Sequence, residues 1–183
     1  MDDERAHPGT TDGWWFDLAV GDLVCAVQLV SGELWRYRAC LLRGDDLVVV
    51  LDDDVPPPRP GTVELRTHGL WVEHYVEVPF DHVSVGCEAF ALRIDPPLDV
   101  GGRLVGDPTP FGLDLGWETS GEVVPRTREQ GYEIDCVVYG EILVDDERIA
   151  VDAAPGRRGH VWGDVPADAW LTSTPLPTAL GGT

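Results

Sequence analysis

Apolar and polar residues alternate along most of this chain, and no window of a dozen residues carries the three-to-four spacing of a capped helix. The alternation predicts strands at Trp14–Val20, Leu23–Val30, Leu34–Leu42, Leu47–Leu51, Thr62–Thr67, Leu70–Val78, His82–Ile94, Phe111–Thr119, Tyr132–Val144, Glu147–Val151 and His160–Trp162. Turn residues sit between them at Ser31-Gly32, Arg43-Gly44-Asp45-Asp46, Thr67-His68-Gly69 and Asp145-Asp146, which favours sequential antiparallel pairing. The acidic, proline-rich run from Asp52 to Gly61 reads as a stiff exposed connection, because proline removes ladder donors and like charges repel. A second breaker, from Asp95 to Pro110, reads as a long loop with the option of a lid.

The expectation is an all-β, antiparallel up-and-down barrel of about ten strands with little helix, a two-sheet sandwich being the alternative. Residues 1–13 read as a flexible N-terminus, 14–165 as one barrel domain and 166–183 as a Pro/Gly-rich tail that docks, if at all, through Trp170 and Leu171. Aromatic spacing favours the barrel: Trp35 with Tyr37, Trp71 with Tyr75, and Leu115 with Trp117 each share a strand face. Trp35, Tyr37, Trp71, Tyr75 and Trp117 are therefore candidate walls of a ligand cavity, and filling a core would account for them equally well. On Leu70–Val78 the face of Trp71, Glu73, Tyr75 and Glu77 looks to solvent if the aliphatic residues make the core. If it faced a cavity, burial would raise a glutamate's pKa and make it a general acid.

Near the end of the predicted strands, Gly156-Arg157-Arg158-Gly159-His160-Val161-Trp162-Gly163 places an imidazole and an indole two residues apart, on one face of a strand. His160 and Trp162 are the candidate catalytic pair. Arg157 and Arg158 suit an anionic group, although arginines beside a turn usually face solvent.

The chain has 183 residues, 33 of them acidic and 13 basic, for a formal charge of −20. Such a surface repels phosphate backbones and anionic lipid, so neither nucleic acid nor membrane insertion is expected. There is no lysine, which removes Schiff-base chemistry and the P-loop lysine. Cys25, Cys40, Cys87 and Cys136 form no C-x-x-C pair and read as reduced, buried small hydrophobes in a cytoplasmic protein. His68, His74 and His82 lack the spacing of a metal motif, and no nucleophile elbow, phosphate loop or dinucleotide fingerprint occurs. No metal or other cofactor is expected.

Gly69-Leu70-Trp71-Val72-Glu73, the run Gly112–Thr119, Gly131-Tyr132-Glu133, Gly140–Val144 and Gly156–Gly163 resemble the lipocalin-like proteins related to carotenoid 1,2-hydratase (hydroxyneurosporene synthase) and the AttH-like proteins. The resemblance runs from about Trp14 to Gly163. It implies a lipocalin or calycin type of barrel, corresponding to the first of two β-domains, with His160 and Trp162 at the family's H-x-W positions. The family's tyrosine and aspartate after that pair do not follow here, and its aspartate before the histidine is Gly159. The resemblance implies a protein binding an apolar isoprenoid or polyketide, assisting hydration, cyclisation or isomerisation. A non-catalytic carrier and a small pericyclase are the alternatives, and a homodimer is one way to replace the absent second domain.

Overall fold

In the computed structural model of the protein, which describes residues 4–59, 61, 63–94, 105–126, 130–165, 170–172, 174–176 and 180, ten strands form one antiparallel sheet. They are β1 (Thr11–Val20), β2 (Leu23–Val30), β3 (Trp35–Arg43), β4 (Asp46–Val55), β5 (Val63–Arg66), β6 (Leu70–Val78), β7 (His82–Ile94), β8 (Gly106–Pro125), β9 (Gln130–Val144) and β10 (Glu147–Gly163). The order β4-β3-β2-β1-β10-β9-β8-β7-β6-β5 closes on itself because β7 also pairs with β4. The first half of β7 carries β6, and beyond it β5, while Leu92–Ile94 pair with Leu47–Val49 of β4. The fold is thus the all-β barrel expected, with eight strands in the ring, and a sandwich of two sheets is excluded.

Period-2 alternation explains the inside and the outside. On β1, Trp14, Phe16 and Leu18 enter the main core with Leu29, Tyr37, Leu115, Trp117 and Ile134. The alternate residues Trp15 and Asp17 point outward, yet they are buried, because the C-terminal segment lies over them. Leu171 packs with Trp15, Val30 and Val161. The Leu171 N–H donates to Gln28 Oε1 at 2.7 Å, and the Thr172 and Thr174 hydroxyls donate to Asp17. The described residues of the tail are docked through Leu171 and these polar contacts, with Trp170, Leu176 and Leu180 packed beside a second small cluster.

Four expectations are corrected. Residues 52–55 continue β4: Asp52 pairs with Tyr37, and Val55 is buried opposite Trp35. Asp53 meets Arg38 and Asp52 accepts from the Thr67 hydroxyl, so repulsion does not end the strand. The pieces 147–151 and 160–162 belong to one strand, β10, which has a bulge between Val151 and Ala154, with Ala153 at φ 51°, and then carries Pro155, Gly156 and Gly159 in regular register with β9. Residues 4–13 are not a loose arm: Thr11–Gly13 are in β1, and Glu4 is buried. Of the proposed loop at 95–110, residues 105–110 are described, and Gly106–Pro110 open β8; positions 95–104 lie outside the described residues.

All four cysteines are free and buried, and burial pushes the Cys40 and Cys87 thiols up to about 12, which makes them inert small hydrophobes. No helix among the described residues is long and apolar enough to cross a membrane.

Gly159, in the middle of β10, faces outward beneath the Trp15 indole, and a Cβ there would lie 2.5 Å from the ring. Trp15 is completely buried and has no room to swing away. Gly159→Ala is therefore expected to destabilise the fold by about 1–3 kcal/mol, the cost of overpacking a dense core. An unchanged urea midpoint would contradict this packing.

Candidate functional site

Antiparallel register sets Trp14 opposite His160, Asp12 opposite Trp162 and Phe16 opposite Arg158. The same alternation that sends Trp14 inward therefore sends Arg158, His160, Trp162 and Asp12 to the inner face at one end of the barrel. Here an imidazole, a carboxylate and a guanidinium share a space walled by rings. The Trp14 ring stacks on His160 at 4.7 Å and on Trp35 at 5.7 Å. Trp162 lies 5.2 Å from His160, and Tyr132 meets it edge-on at 6.0 Å.

His160 has no exposed surface, and its Nε2 lies 2.8 Å from Asp12 Oδ1. From the N-terminal arm, His7 donates its backbone N–H to Asp12 Oδ2 at 3.0 Å and sets its ring Nδ1 2.8 Å from Oδ1. Burial pushes the Asp12 carboxyl up, but the hydrogen bonds from His160 and His7 outweigh this and hold it below the usual carboxylate range. An ionised carboxylate only accepts, so both ring nitrogens facing it carry protons. The His7 ring stacks on Trp162 at 4.3 Å and is 27% exposed, making it the outer face of a chain that runs inward to His160.

Beside this trio lies a second polar pair. Arg158, 3% exposed, is matched by Glu4, with which its Nη1 makes a short contact. The Phe80 N–H donates to Glu4 Oε2 at 2.8 Å, and the Tyr132 hydroxyl lies 3.4 Å from Oε1. A small void of ≈ 10 Å³ adjoins them, lined by residues that include Trp14, Phe16, His74, Tyr132 and Arg158.

The candidate residues divide. His160 and Trp162 share the inner face as their spacing implied. Trp35, Tyr37 and Trp117 are buried in the core, where the Trp117 indole N–H donates to the Asp17 carbonyl at 3.0 Å. In place of a hollow walled by these rings there is packed core, since bulky side chains from facing strands meet across the interior. Trp71 and Tyr75 point outward, as the aliphatic spacing of β6 favoured, and line an external groove of ≈ 420 Å³ with Glu73, Glu88, Asp114 and Glu141. The five rings thus do not line one cavity.

Arg158, read as solvent-facing, is inside because it sits two residues before His160 on a strand. The carboxylate that meets His160 is Asp12, on the neighbouring strand, and Gly159 keeps its small size for Trp15. Asp12, Glu4 and His7 carried no local signal. The one clue was that Asp12 precedes Trp14 by two.

The facing ligand atoms of His7, Asp12 and His160 lie within 4.8 Å of one another and are the residues that would hold a metal ion at this end of the barrel. Their 2.8 Å contacts are hydrogen bonds; tetrahedral ligation with bonds of ~2.0 Å would spread the atoms to about 3.3 Å. In comparisons with protein-family models, curated proteins and solved structures, no match to this chain was found.

His74 enters from β6, with its ring edge-on to Phe16 at 5.0 Å and to Trp14 at 6.1 Å. Burial pushes its imidazole down from 6.5 to about 3, with Arg158 and His160 adding repulsion. The unfolded chain binds this proton below about 6.5, whereas the folded chain refuses it until about 3. The stability is complete above 6.5 and is lost as pH falls towards 3, at about 1.4 kcal/mol per pH unit. Between pH 8 and pH 5 wild type is expected to lose about 2 kcal/mol more than His74→Leu in urea unfolding. Parallel pH profiles would contradict the buried neutral imidazole.

Proposed function

We propose that this barrel binds a small, largely apolar molecule at the end closed by residues 4–10, and that His160, oriented by Asp12, exchanges a proton with it. The carrying observation is the fully buried His160 bonded at 2.8 Å to a buried carboxylate among indole and phenol rings. Burying such a pair costs several kcal/mol unless its geometry is well satisfied, which makes it an expensive way merely to fill space. A carboxylate fixes an imidazole's tautomer and steadies its charged form, and ring faces steady cationic character that develops in a substrate. His7 connects Asp12 to solvent while residues 4–10 are seated, so the pair can be recharged in the closed, ligand-free state.

The reaction class this suits is protonation of an alkene or enol, leading to hydration, cyclisation or isomerisation. It is the chemistry implied by the resemblance to carotenoid 1,2-hydratases. That resemblance expects a tyrosine and an aspartate with the H-x-W pair; Tyr132 from β9 and Asp12 from β1 stand beside it here. All these residues come from one copy of the chain, so the reading needs no homodimer.

Native mass spectrometry after exposure to an isoprenoid and polyketide extract of the source cells would identify what is retained, and turnover of the retained compound would then be measured. His160→Gln is expected to keep the ligand and lose about 10²- to 10⁴-fold in turnover, the usual worth of a positioned acid or base. Full turnover in His160→Gln would overturn the proton-transfer role. Retention by wild type with no turnover would leave a carrier.

The external groove favours a second reading, a site for an organic cation. Trp71 and Tyr75 offer ring faces, Glu73, Glu88, Asp114 and Glu141 supply negative charge, and its volume is within the range of small-molecule sites. A benzyltrimethylammonium probe is expected to bind more weakly as salt rises and at least 10-fold more weakly to Trp71→Ala. Equal binding by that variant would dismiss the groove.

A further inference from the structure

We infer that Glu4 occupies a carboxylate subsite, so that the natural ligand of the barrel is a carboxylic acid which displaces residues 4–10 on binding. This rests on the reading that this end of the barrel is the ligand site. Strand alternation forces Arg158 inward, and a guanidinium there demands an anion. The groups that grip the Glu4 carboxylate are the Arg158 guanidinium from β10, the Tyr132 hydroxyl from β9 and the Phe80 N–H from the turn after β6. The Thr119 hydroxyl lies 3.5 Å from Arg158 Nη2. Every donor belongs to the barrel or its turns, and the arm supplies only the carboxylate.

The arm is suited to leave. Arg5, Ala6, Pro8, Gly9 and Thr10 are exposed, and among the described residues its buried contacts are those of Glu4 and those of His7 with Asp12, His160 and Trp162. Few buried apolar contacts are what distinguish segments that open locally from those that open only with the whole fold. Beside Glu4, the small void is lined by residues whose polar atoms Trp14 Nε1, His74 Nδ1 and Arg158 Nε are buried without a partner. These atoms suit a further polar group on the same ligand, with Trp14, Phe16, Phe80 and Tyr132 as apolar surroundings.

Charge selects the ligand class. One guanidinium balances one carboxylate, and the flat two-oxygen group matches its fork. A phosphate dianion would leave surplus charge in a dry site of a protein already at −20.

The test is calorimetric titration of the full chain with phenylacetate, 2-phenylethanol and inorganic phosphate. Glu4 competes with the ligand, so weakening the competitor raises apparent affinity by the fraction of closed sites it releases. Glu4→Ala is expected to bind phenylacetate at least 10-fold more tightly than wild type, and Glu4→Gln, which keeps the volume and loses the charge, to change in the same direction. The alcohol and phosphate should bind at least 10-fold more weakly than phenylacetate, and adding Arg158→Met should abolish binding. In wild type, saturating phenylacetate should release the His7 amide to fast hydrogen exchange. No tightening in either Glu4 variant, equal binding of the alcohol or of phosphate, or failure of both variants to fold would overturn the inference. His160→Gln separates it from the function above: carboxylate binding that persists in this variant with turnover intact sinks proton transfer alone, and His160-dependent turnover without carboxylate binding sinks the subsite alone.

Discussion

Closing an antiparallel sheet into a ring decides which residues of β1 and β10 must face one another inside it, and here that includes an aspartate, a histidine and an arginine. Charged groups in such a space are tolerable only when each finds a partner. The rest of the site follows from this demand. Asp12 answers His160, Glu4 answers Arg158, and His7 completes the coordination of Asp12. Because two of these partners come from residues before β1, the N-terminal segment has to return across the barrel end. The geometry of the mouth is therefore a consequence of charge compensation as much as of apolar packing.

Elsewhere the inner face is filled by aliphatic side chains and rings together, and the outer face is buried where the C-terminal segment covers it. There Trp15, Asp17 and Gln28 are outward-pointing yet buried, an exception to alternation produced by a piece of chain more than 140 residues away. Gly159 records the same packing. The space beside position 159 is taken by an indole, and the carboxylate that meets His160 comes from the adjacent strand. Shape on one side of a strand and chemistry on the other are thus set by the same local register.

Much of the fold was legible because it is local. The strands at Leu23–Val30, Leu70–Val78 and His82–Ile94 begin and end where alternation and turn residues say. Legibility failed where a ladder partner outweighed a local breaker: Asp52 and Asp53 stay in β4 because Arg38 and Thr67 receive them, and Pro155 stays in β10 opposite Val137, one residue outside the ladder to β1. The site was half legible. His160 and Trp162 are two residues apart and announce a shared face, whereas Asp12 reaches His160 across 148 positions and Glu4 reaches Arg158 across 154. No periodicity encodes such pairings, and an N-terminus rich in charge, glycine and proline looks like solvent until the arginine that needs it is known to point inward.

Amide hydrogen exchange in the ligand-free protein tests the docked arm most directly, through the two backbone N–H groups whose hydrogen bonds depend on it: Phe80, which donates to Glu4, and His7, which donates to Asp12. The account predicts that both exchange at least ~100-fold more slowly than in an unstructured chain, and that both lose protection together in an opening well below the cost of global unfolding. Exchange of both at the unstructured rate would mean that the arm is not seated, and the charge compensation on which the site depends would be refuted.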